Sequence, residues 1–307
     1  MATSKKRSSS VKRKVNKFKK SPLYLALVLI LGFGIYFVQQ NYDPGEFVNG
    51  GSASEQGTDY ASGNVTENDP EKSSEKSSEG SVTGFIGDTG LPSEIEKAPV
   101  SLSDIPAYSG ASYAVLNNDV PYFENKTYTT SFEFYGELDE LKRCTTCYVN
   151  VGKDVMPTEE RGDIGSVKPT GWHTVKYDCV DGKYLYNRCH LIGYQLTAEN
   201  ANKQNLITGT RYLNIVGMLY FENEVANYVK ETGNHVLYRV TPYFEGEDLV
   251  AKGVLMEAWS VEDNGKGVCF CAFAYNVQPG VVIDYATGES RLATEEDIAA
   301  GLAIAAE

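Results

Sequence analysis

The sequence predicts an α+β domain with an antiparallel sheet and flanking helices, preceded by one transmembrane helix. Three features predict this fold class: an uncharged apolar run near the N-terminus, strand-like runs separated by turn residues in the last third, and one long amphipathic helix just before those runs. A chain of 307 residues with these parts leaves enough length for a single folded core.

The N-terminal segment predicts a membrane anchor. Residues 1–20 contain nine Lys or Arg and no acidic residue, and residues 22–38 are uncharged. At about 1.5 Å per residue, a helix over 21–39 spans the roughly 30 Å of a bilayer core. Lys and Arg stay on the cytoplasmic side, so the basic segment is expected inside the cell and the rest of the chain outside. The alternative is a cleaved signal peptide and secretion, although Gln39-Gln40-Asn41 is a poor cleavage site.

Composition divides the remaining chain into three parts. Residues 41–101 are acidic and rich in Ser, Gly and Glu, so they bury too little apolar surface to become ordered and are predicted to form a disordered linker. Residues 102–290 are predicted to form the folded domain. Residues 291–307 are an acidic, Ala-rich tail, for which a short helix and a frayed end are both compatible with the sequence.

Charge is distributed unevenly along the chain, whose formal net charge is −13. Residues 141–215 hold 10 basic and 7 acidic residues, whereas residues 40–140 hold 4 and 19 and residues 216–307 hold 5 and 15. An anionic substrate would therefore be attracted to residues 141–215 and repelled elsewhere. Chance clustering of charges on a solvated face is the alternative interpretation.

Six cysteines lie in the part of the chain that is predicted to be outside the cell. Their even number in an oxidising compartment favours disulfides, but the spacing does not indicate the pairing. A zinc site is the alternative, and the tight Cys269-x-Cys271 spacing disfavours it. The cysteines are Cys144, Cys147, Cys179, Cys189, Cys269 and Cys271.

The folded part predicts strands on both sides of a helix. The helix covers Arg211–Glu231, with Thr210 as its N-cap and Gly233 just past its end. The last three strands are joined by short turns, one of them Asp263-Asn264-Gly265, and predict an antiparallel meander. The four predicted strands cover 183–186, 235–242, 249–259 and 268–277.

His190, Asn214 and Glu222 form a candidate catalytic set. Asn214 and Glu222 are eight residues apart on the predicted helix, so they lie within about 80° of each other on one side. A histidine that accepts a proton from water, together with two oxygen ligands for a divalent ion, is typical of one-metal phosphodiester hydrolysis. His173 is the competing base but has no matched metal helix, and His235 begins a strand and is interpreted as structural.

Three motifs at this spacing resemble a known family. They are Asn187-Arg188-Cys189-His190, Asn205-Leu-Ile-Thr-Gly209, and the helix positions Asn214, Met218 and Glu222. Together they resemble the DNA/RNA non-specific endonucleases of the ββα-metal (His-Me finger) class, and most closely the bacterial membrane-anchored or secreted DNA-entry type. Two positions depart from the family pattern, because Asn187 replaces Asp and Cys189 replaces Gly.

The resemblance implies a role for each motif residue. His190 would be the general base, Asn214 the direct side-chain ligand of Mg²⁺ or Mn²⁺, and Glu222 the holder of a metal-bound water. Arg188 would contact phosphate or fix the motif, and Asn205 would orient His190 or a ligand. The candidate substrate-binding cations are Arg161, Lys168 and Arg211.

Three hypotheses about function follow. The first is a membrane-anchored, extracellular, sugar-non-specific endonuclease acting on DNA and RNA. The second is a module of the same fold that has lost catalysis through Asn187 and Cys189 and binds DNA for uptake. The third is a tethered surface adhesin. The resemblance implies no organic cofactor, and the sequence leaves the oligomeric state open.

Overall fold

A computed structural model describes residue 92 and residues 94–306. The predicted basic segment 1–20, the predicted membrane span 21–39 and most of the predicted linker lie outside these residues. Within residue 92 and residues 94–306, no helix combines the length and apolar character that crossing a bilayer requires.

The main element is a six-stranded antiparallel sheet, which confirms the predicted α+β class with an antiparallel sheet. Its strands are β1 (Tyr113–Val115), β2 (Phe132–Tyr135), β3 (Cys147–Val151), β6 (Val236–Tyr243), β7 (Gly253–Ser260) and β8 (Cys269–Tyr275). Their order across the sheet is β1-β8-β7-β6-β3-β2.

The predicted meander corresponds to β6, β7 and β8. Val240 pairs with Met256, and Met256 pairs with Ala272, so three neighbouring strands present buried apolar side chains on the same face. In the turn between β7 and β8, Asn264 and Gly265 both have positive φ, 58° and 74°. Asn and Gly tolerate this backbone region best, which is why the sequence signal for a turn was strong here.

A separate hairpin carries the histidine motif. It consists of β4 (Tyr186–His190) and β5 (Leu206–Thr210), which pair antiparallel with His190 opposite Leu206. The predicted strand over 183–186 was therefore placed too early, because the strand runs through the motif instead of ending before it. Apart from the long helix described next, the described residues also form the 3₁₀ turns Leu102–Asp104 and Asn117–Asp119, helix α1 (Tyr194–Thr197), the strand pair β9 (Val281–Ile283) and β10 (Ser290–Leu292), and helix α3 (Glu295–Ala299).

The predicted long helix is present but contains a π-helical part. The Thr210 hydroxyl accepts a hydrogen bond from Leu213 N at 2.9 Å, as expected of an N-cap, and Gly233 follows the last turn with φ of 76°. Leu213–Met218 is π-helical and Leu219–Thr232 is α-helix α2. A π-helix turns less per residue than an α-helix, so Asn214 and Glu222 lie closer around the axis than an α-helix predicts.

Helix α2 packs on one face of the sheet. Phe221 contacts Phe270 of β8 with 4.7 Å between the ring centroids, and Val225 and Val229 are fully buried. Of the apolar positions in the predicted helix, Val216 is exposed and does not join this core. Burying large apolar side chains contributes about 1.5–3 kcal/mol each, so this face fixes where the helix lies on the sheet.

The opposite face of the sheet is covered by the N-terminal part of the described chain. Tyr243 donates to Val100 O at 2.9 Å, and Arg239 donates to Glu96 O at 2.7 Å. Residues 94–101 were predicted to belong to the disordered linker 41–101, and the structure corrects this part of the prediction. Backbone carbonyls in this segment accept from side chains of the sheet, which the composition does not reveal.

Ordered structure also continues beyond residue 290, into the predicted tail. Arg291 lies in β10, and its guanidinium pairs with the Asp297 carboxylate. Asp297 belongs to α3, whose N-cap Thr294 makes a capping box with it. Of the two forms that the sequence allowed for the tail, the structure therefore shows a short helix.

The structure contains none of the predicted disulfides. All six cysteines lie in the described part of the chain and all six are free. The four cysteines of the alternative zinc site also do not assemble, since no group of three or more His, Cys, Asp or Glu within residue 92 and residues 94–306 is placed to hold a metal ion.

Candidate active site

The last residue of β4, His190, has a defined orientation. Its side chain is buried, with Nε2 2.7 Å from the carbonyl oxygen of Asn200 and Nδ1 3.2 Å from Nη2 of Arg161. A carbonyl only accepts hydrogen bonds, so Nε2 carries the proton and donates it to Asn200. Nδ1 then has the free electron pair and accepts from the guanidinium of Arg161.

The surroundings keep His190 neutral. Burial lowers the pKa of His190 to about 4, and the positive charge of Arg161 acts in the same direction, while the hydrogen bond to Asn200 opposes both. At neutral pH the imidazole is therefore uncharged and Nδ1 can accept a proton. This is the protonation state that a general base needs.

Asn214 lies in the π-helical turn, and its side chain contacts Cys189, the residue before His190. The thiol Sγ of Cys189 is 3.2 Å from Asn214 Oδ1 and 3.5 Å from Met218 Sδ. Burial raises the pKa of Cys189, as does the nearby charge of Glu222, so the thiol stays protonated and donates to the amide oxygen. Cys189, which stands where the family pattern has Gly, thus holds the amide oxygen of Asn214 toward β4.

Glu222 presents a carboxylate without a cationic partner. Burial raises the pKa of Glu222 to about 7. In the part of the chain that the structure describes, no Lys or Arg nitrogen lies within 4.0 Å of it. A Cβ on Gly193 would be 2.9 Å from Glu222 Oε2, so the carboxylate fits against a bare backbone. Amide and carboxylate oxygens are the donors that hard divalent ions prefer, and Asn214 and Glu222 therefore fit such an ion.

Arg161 connects the base to the oxygen donors. Successive side chains of a strand point to opposite faces, so His190 and Cys189 face different sides of β4. Burial raises the pKa of Cys189 and of Glu222, and the positive charge of Arg161 opposes this rise; at His190 the same charge adds to the lowering of the pKa by burial. Of the three candidate cations, Arg161 is thus the one whose guanidinium contacts His190, and its charge also acts on the carboxylate of Glu222.

Lys168 and Arg211 lie elsewhere. Arg211 pairs with Asp181 at 2.9 Å on the surface. Lys168 lines a cavity next to β5, together with two other lysines.

The guanidinium of Arg188 holds a loop. It donates to the carbonyl oxygens of Gly165 at 2.8 Å and Val167 at 2.5 Å, and it lies 4.2 Å over the ring of Trp172. Of the two roles suggested by the resemblance, this geometry corresponds to fixing the motif.

Asn205 fixes the turn that follows the histidine. It is fully buried, its Oδ1 accepts from Ile192 N at 2.8 Å, and its Nδ2 donates to Ile192 O at 2.9 Å. Leu191 N also donates to the backbone oxygen of Asn205. Asn205 is therefore a positioning residue that acts on the backbone next to His190, and its contacts are not with the imidazole.

The other histidines have structural partners. His173 is exposed and lies 3.1 Å from the carbonyl oxygen of Thr287, and His235 pairs with Glu262 at 2.6 Å. Sequence reasoning missed two contributors to the site. Asn200 acts through its backbone carbonyl, which leaves no signal in the side-chain pattern. Gly193 follows the histidine motif by three residues, and a glycine so close to a catalytic histidine was a signal that could have been used.

The chain is similar to known nucleases. Residues 124–262 match the family model described as DNA/RNA non-specific endonuclease. A deoxyribonuclease from Streptococcus dysgalactiae subsp. equisimilis is 27% identical, over 44% of this chain and 54% of its own length. The chain therefore spans about half the length of this relative.

Solved structures of NucA from Streptococcus agalactiae share the fold. The metal-free structure has a TM-score of 0.55 and 25% identity, and the match covers 63% of this chain and 92% of that one. The structure of NucA with a magnesium ion bound has a TM-score of 0.56 and 24% identity, with 63% and 94% covered. The residues that match the family model, 124–262, include the whole hairpin of β4 and β5 and the helix that carries Asn214 and Glu222. Over residues 124–262, the chain is therefore similar to the DNA/RNA non-specific endonuclease family.

Proposed function

We propose that this chain is a hydrolase that cleaves phosphodiester bonds inside DNA, and also inside RNA, with His190 as the general base. The observation that carries the proposal is the state of His190: a neutral imidazole whose Nδ1 is unprotonated and lies against Arg161, one residue away from the thiol that contacts Asn214. A base, a cation and two oxygen donors are the groups that phosphodiester hydrolysis requires.

The geometry supports a simple sequence of proton and charge movements. Nδ1 of His190 takes a proton from a water molecule, whose oxygen attacks phosphorus and forms the new P–O bond. The bond between phosphorus and the 3′ oxygen breaks, the 3′ oxygen leaves as an alkoxide that takes a proton from solvent, and the other product keeps a 5′-phosphate. The carbonyl of Asn200 stabilises the resulting imidazolium, because it accepts from Nε2–H throughout. An anionic phosphate is a strong acceptor for a guanidinium, so Arg161 is placed to move from Nδ1 to the substrate and to neutralise its charge.

Asn214 and Glu222 are the residues that would hold a divalent ion, Mg²⁺ or Mn²⁺. Asn214 Oδ1 offers a direct oxygen ligand, and the Glu222 carboxylate offers a second oxygen or holds a bound water. When bound, the ion would supply positive charge to the phosphate and to the leaving oxygen.

A plasmid assay tests the proposed activity. The chain purified without its first 90 residues is expected to convert supercoiled plasmid to fragments with Mg²⁺ or Mn²⁺ and to leave it intact in EDTA. A DNA mobility shift without cleavage under all metal conditions would favour the binding-module hypothesis. Absence of both cleavage and binding at low salt would favour the adhesin hypothesis.

The Asn214→Ala substitution is expected to weaken metal use. Loss of an outer partner of a metal ligand typically costs about 10- to 100-fold in metal affinity, and loss of the ligand itself should cost at least that much. Titration of Mg²⁺ in the plasmid assay, and calorimetric titration of Mn²⁺ into the protein without substrate, measure the change. Asn227→Ala, at an exposed position of the same helix, is the matched control. If the Asn214→Ala protein bound Mn²⁺ as tightly as the control, the metal assignment would be wrong.

We further propose that the domain acts outside the cell, tethered by the predicted span 21–39 or, alternatively, secreted after cleavage. The supporting observations are the basic segment 1–20, the uncharged run that follows it and the acidic linker. Protease treatment of intact cells, followed by blotting for the domain and its N-terminus, tests the location. Protection of the domain from protease would contradict it.

A further inference from the structure

A cavity of about 470 Å³ opens beside the histidine hairpin, on the β5 side. Its lining combines apolar side chains with three lysines and contains no Asp or Glu. The lining residues that matter for binding are Lys142, Lys168, Lys203, Val167, Pro169 and Ile207. This volume is within the range of small-molecule sites and offers room for one nucleotide.

The three lysines come from three separate segments of the chain. Lys142 precedes β3, Lys168 follows the loop held by Arg188, and Lys203 precedes β5. All three are exposed, and none makes an ion pair within the residues that the structure describes. Three unpaired ammonium groups around one hollow repel each other, so an anion that binds between them relieves this repulsion.

The backbone under Lys142 is rigid. Lys142 has a positive φ of 64°, and its N–H donates to Asp139 O at 2.9 Å. The Asp139 carboxylate accepts from Arg143, whose guanidinium also donates to the carbonyl oxygens of Gly246 and Asp248. Lys142 is thus presented on a fixed turn.

The other two lysines are also carried by fixed backbone. The thiol of Cys144 donates to the carbonyl oxygens of Lys203 and Leu206, both at 3.2 Å. On the opposite wall, Arg188 donates to the carbonyl oxygen of Val167, the residue before Lys168. A binding site that is held in place before the ligand arrives loses less entropy on binding.

The cavity is directly linked to the catalytic strand. Leu206 pairs with His190, and Ile207 pairs with Cys189. Neighbouring strands are about 4.8 Å apart, so a nucleic acid strand with one phosphate at His190 can place a nearby nucleotide at the cavity. Arg188 lies in the histidine motif and donates hydrogen bonds to the loop just before Lys168. It therefore connects the strand that carries His190 to one wall of the cavity.

We propose that this lysine cavity, defined by Lys142, Lys168 and Lys203, is a subsite for the single-stranded part of a nucleic acid substrate, next to the cleavage site. The ammonium groups bind phosphates, and the apolar wall of Val167, Pro169 and Ile207 accommodates a base. The subsite deepens the proposed function and rests on it. It contacts the backbone and an apolar base surface, so it adds affinity without sequence preference.

The test compares binding of a labelled single-stranded oligonucleotide by two triple variants. Lys142→Ala/Lys168→Ala/Lys203→Ala removes the cavity lysines. Binding is measured by fluorescence anisotropy in EDTA, which stops metal-dependent cleavage, at NaCl concentrations from about 50 to 200 mM. Each lost phosphate contact reduces the slope of log K against log [salt] by about 0.7 for single strands, so the slope should fall by about 2, and affinity at 0.1 M salt by roughly 100-fold.

The control triple variant makes the same charge change on other surfaces. Lys153, Lys230 and Lys266 are exposed and make no ion pair within the described residues, and their replacement by Ala should change the slope by much less. Unchanged melting temperatures show that both triple variants fold. Equal binding by the two triple variants would overturn the proposed subsite.

Failure of the subsite and failure of the proposed function give different results. If the protein cleaves plasmid but its cavity and control variants bind the oligonucleotide equally well, the proposed subsite is wrong and the hydrolase assignment stands. If the cavity lysines bind the oligonucleotide but the protein cleaves no plasmid with any metal, the nucleotide-binding cavity stands and the hydrolase assignment is wrong.

Discussion

Replacing His190 with alanine is expected to lower kcat by about 10²- to 10⁴-fold while the affinity for DNA stays unchanged. The physical reason is that Nδ1 is the unprotonated nitrogen, held toward Arg161 by the bond from Nε2 to Asn200 O. Alanine removes the proton acceptor, but it leaves the cationic groups and the oxygen donors in place. Rates from a fluorescent oligonucleotide assay and binding in EDTA separate the two effects.

His173→Ala is the matched control, because His173 is the competing base on sequence grounds and lies on the surface. Its substitution should leave kcat within about twofold. A His190→Ala protein that cleaves nearly as fast as wild type, or a His173→Ala protein that fails to cleave, would refute the assignment of the base.

The pH dependence gives a second measurement on the same site. The pKa of His190 is lowered to about 4, so the base is lost only when the pH falls through this value. The pKa of Glu222 is raised to about 7, so protons compete with metal at a higher pH. With saturating metal, activity should persist to about pH 5. With limiting metal, it should already decline below pH 7.

Much of this site could be predicted because its residues follow fixed spacings. The helix from Arg211, its N-cap Thr210 and its end at Gly233 follow from local rules, and the structure shows all three. The eight-residue spacing of Asn214 and Glu222 predicted that both side chains lie on the same side of that helix. The π-helical turn could not be predicted, because apolar periodicity does not report whether a carbonyl bonds to residue i+4 or i+5.

Long-range contacts explain what the sequence did not reveal. Arg188 and Asn205 were identified by motif, but their partners are backbone atoms of Gly165, Val167 and Ile192, which no residue pattern specifies. The cysteine count favoured disulfides on the basis of compartment alone, whereas the structure places Cys189 as a free donor to Asn214. Pairing depends on distances between strands that a linear sequence does not contain.

Sequence reasoning missed the buried ion pair between Arg239 and Glu257. Arg239 is the single Lys or Arg in the predicted strand 235–242, and Glu257 is the single acidic residue in the predicted strand 249–259. That combination was an available signal, since a charge inside an otherwise apolar strand needs a partner on its neighbour. The structure pairs the two residues directly across β6 and β7, and both are fully buried.

Glu257→Ala is expected to reduce the free energy of unfolding by about 3–5 kcal/mol, because it removes the carboxylate hydrogen-bonded to the buried Arg239 and leaves only Glu96, at 4.0 Å, as a counter-ion. The carboxylate accepts from Arg239 Nε at 2.7 Å and Nη2 at 2.9 Å, and also from the backbone N–H of Tyr122 at 2.8 Å. For a domain of this size each kcal/mol shifts Tm by roughly 2–4 °C, so a decrease of roughly 6–20 °C is expected. Differential scanning calorimetry and urea unfolding measure it.

The matched control is Asp178→Ala, which breaks the exposed pair between Lys183 and Asp178 and should leave Tm nearly unchanged. The double substitution Arg239→Met/Glu257→Leu removes both charges and should recover part of the loss. Recovery is incomplete because Tyr122 N and Glu96 O lose their partners. A double variant less stable than Glu257→Ala would show that the uncompensated charge is not the cause.

The ion pair between Arg239 and Glu257 is expected to affect stability without affecting catalysis. Arg239 and Glu257 hold the N-terminal part of the described chain, through Glu96 and Tyr122, on the sheet face opposite to α2. The metal helix packs on the other face through Phe221 and its neighbours. Glu257→Ala should therefore lower the melting temperature while kcat, measured well below that temperature, stays near the wild-type value. A loss of kcat in the folded variant would mean that the covered face controls the position of the helix that carries Asn214.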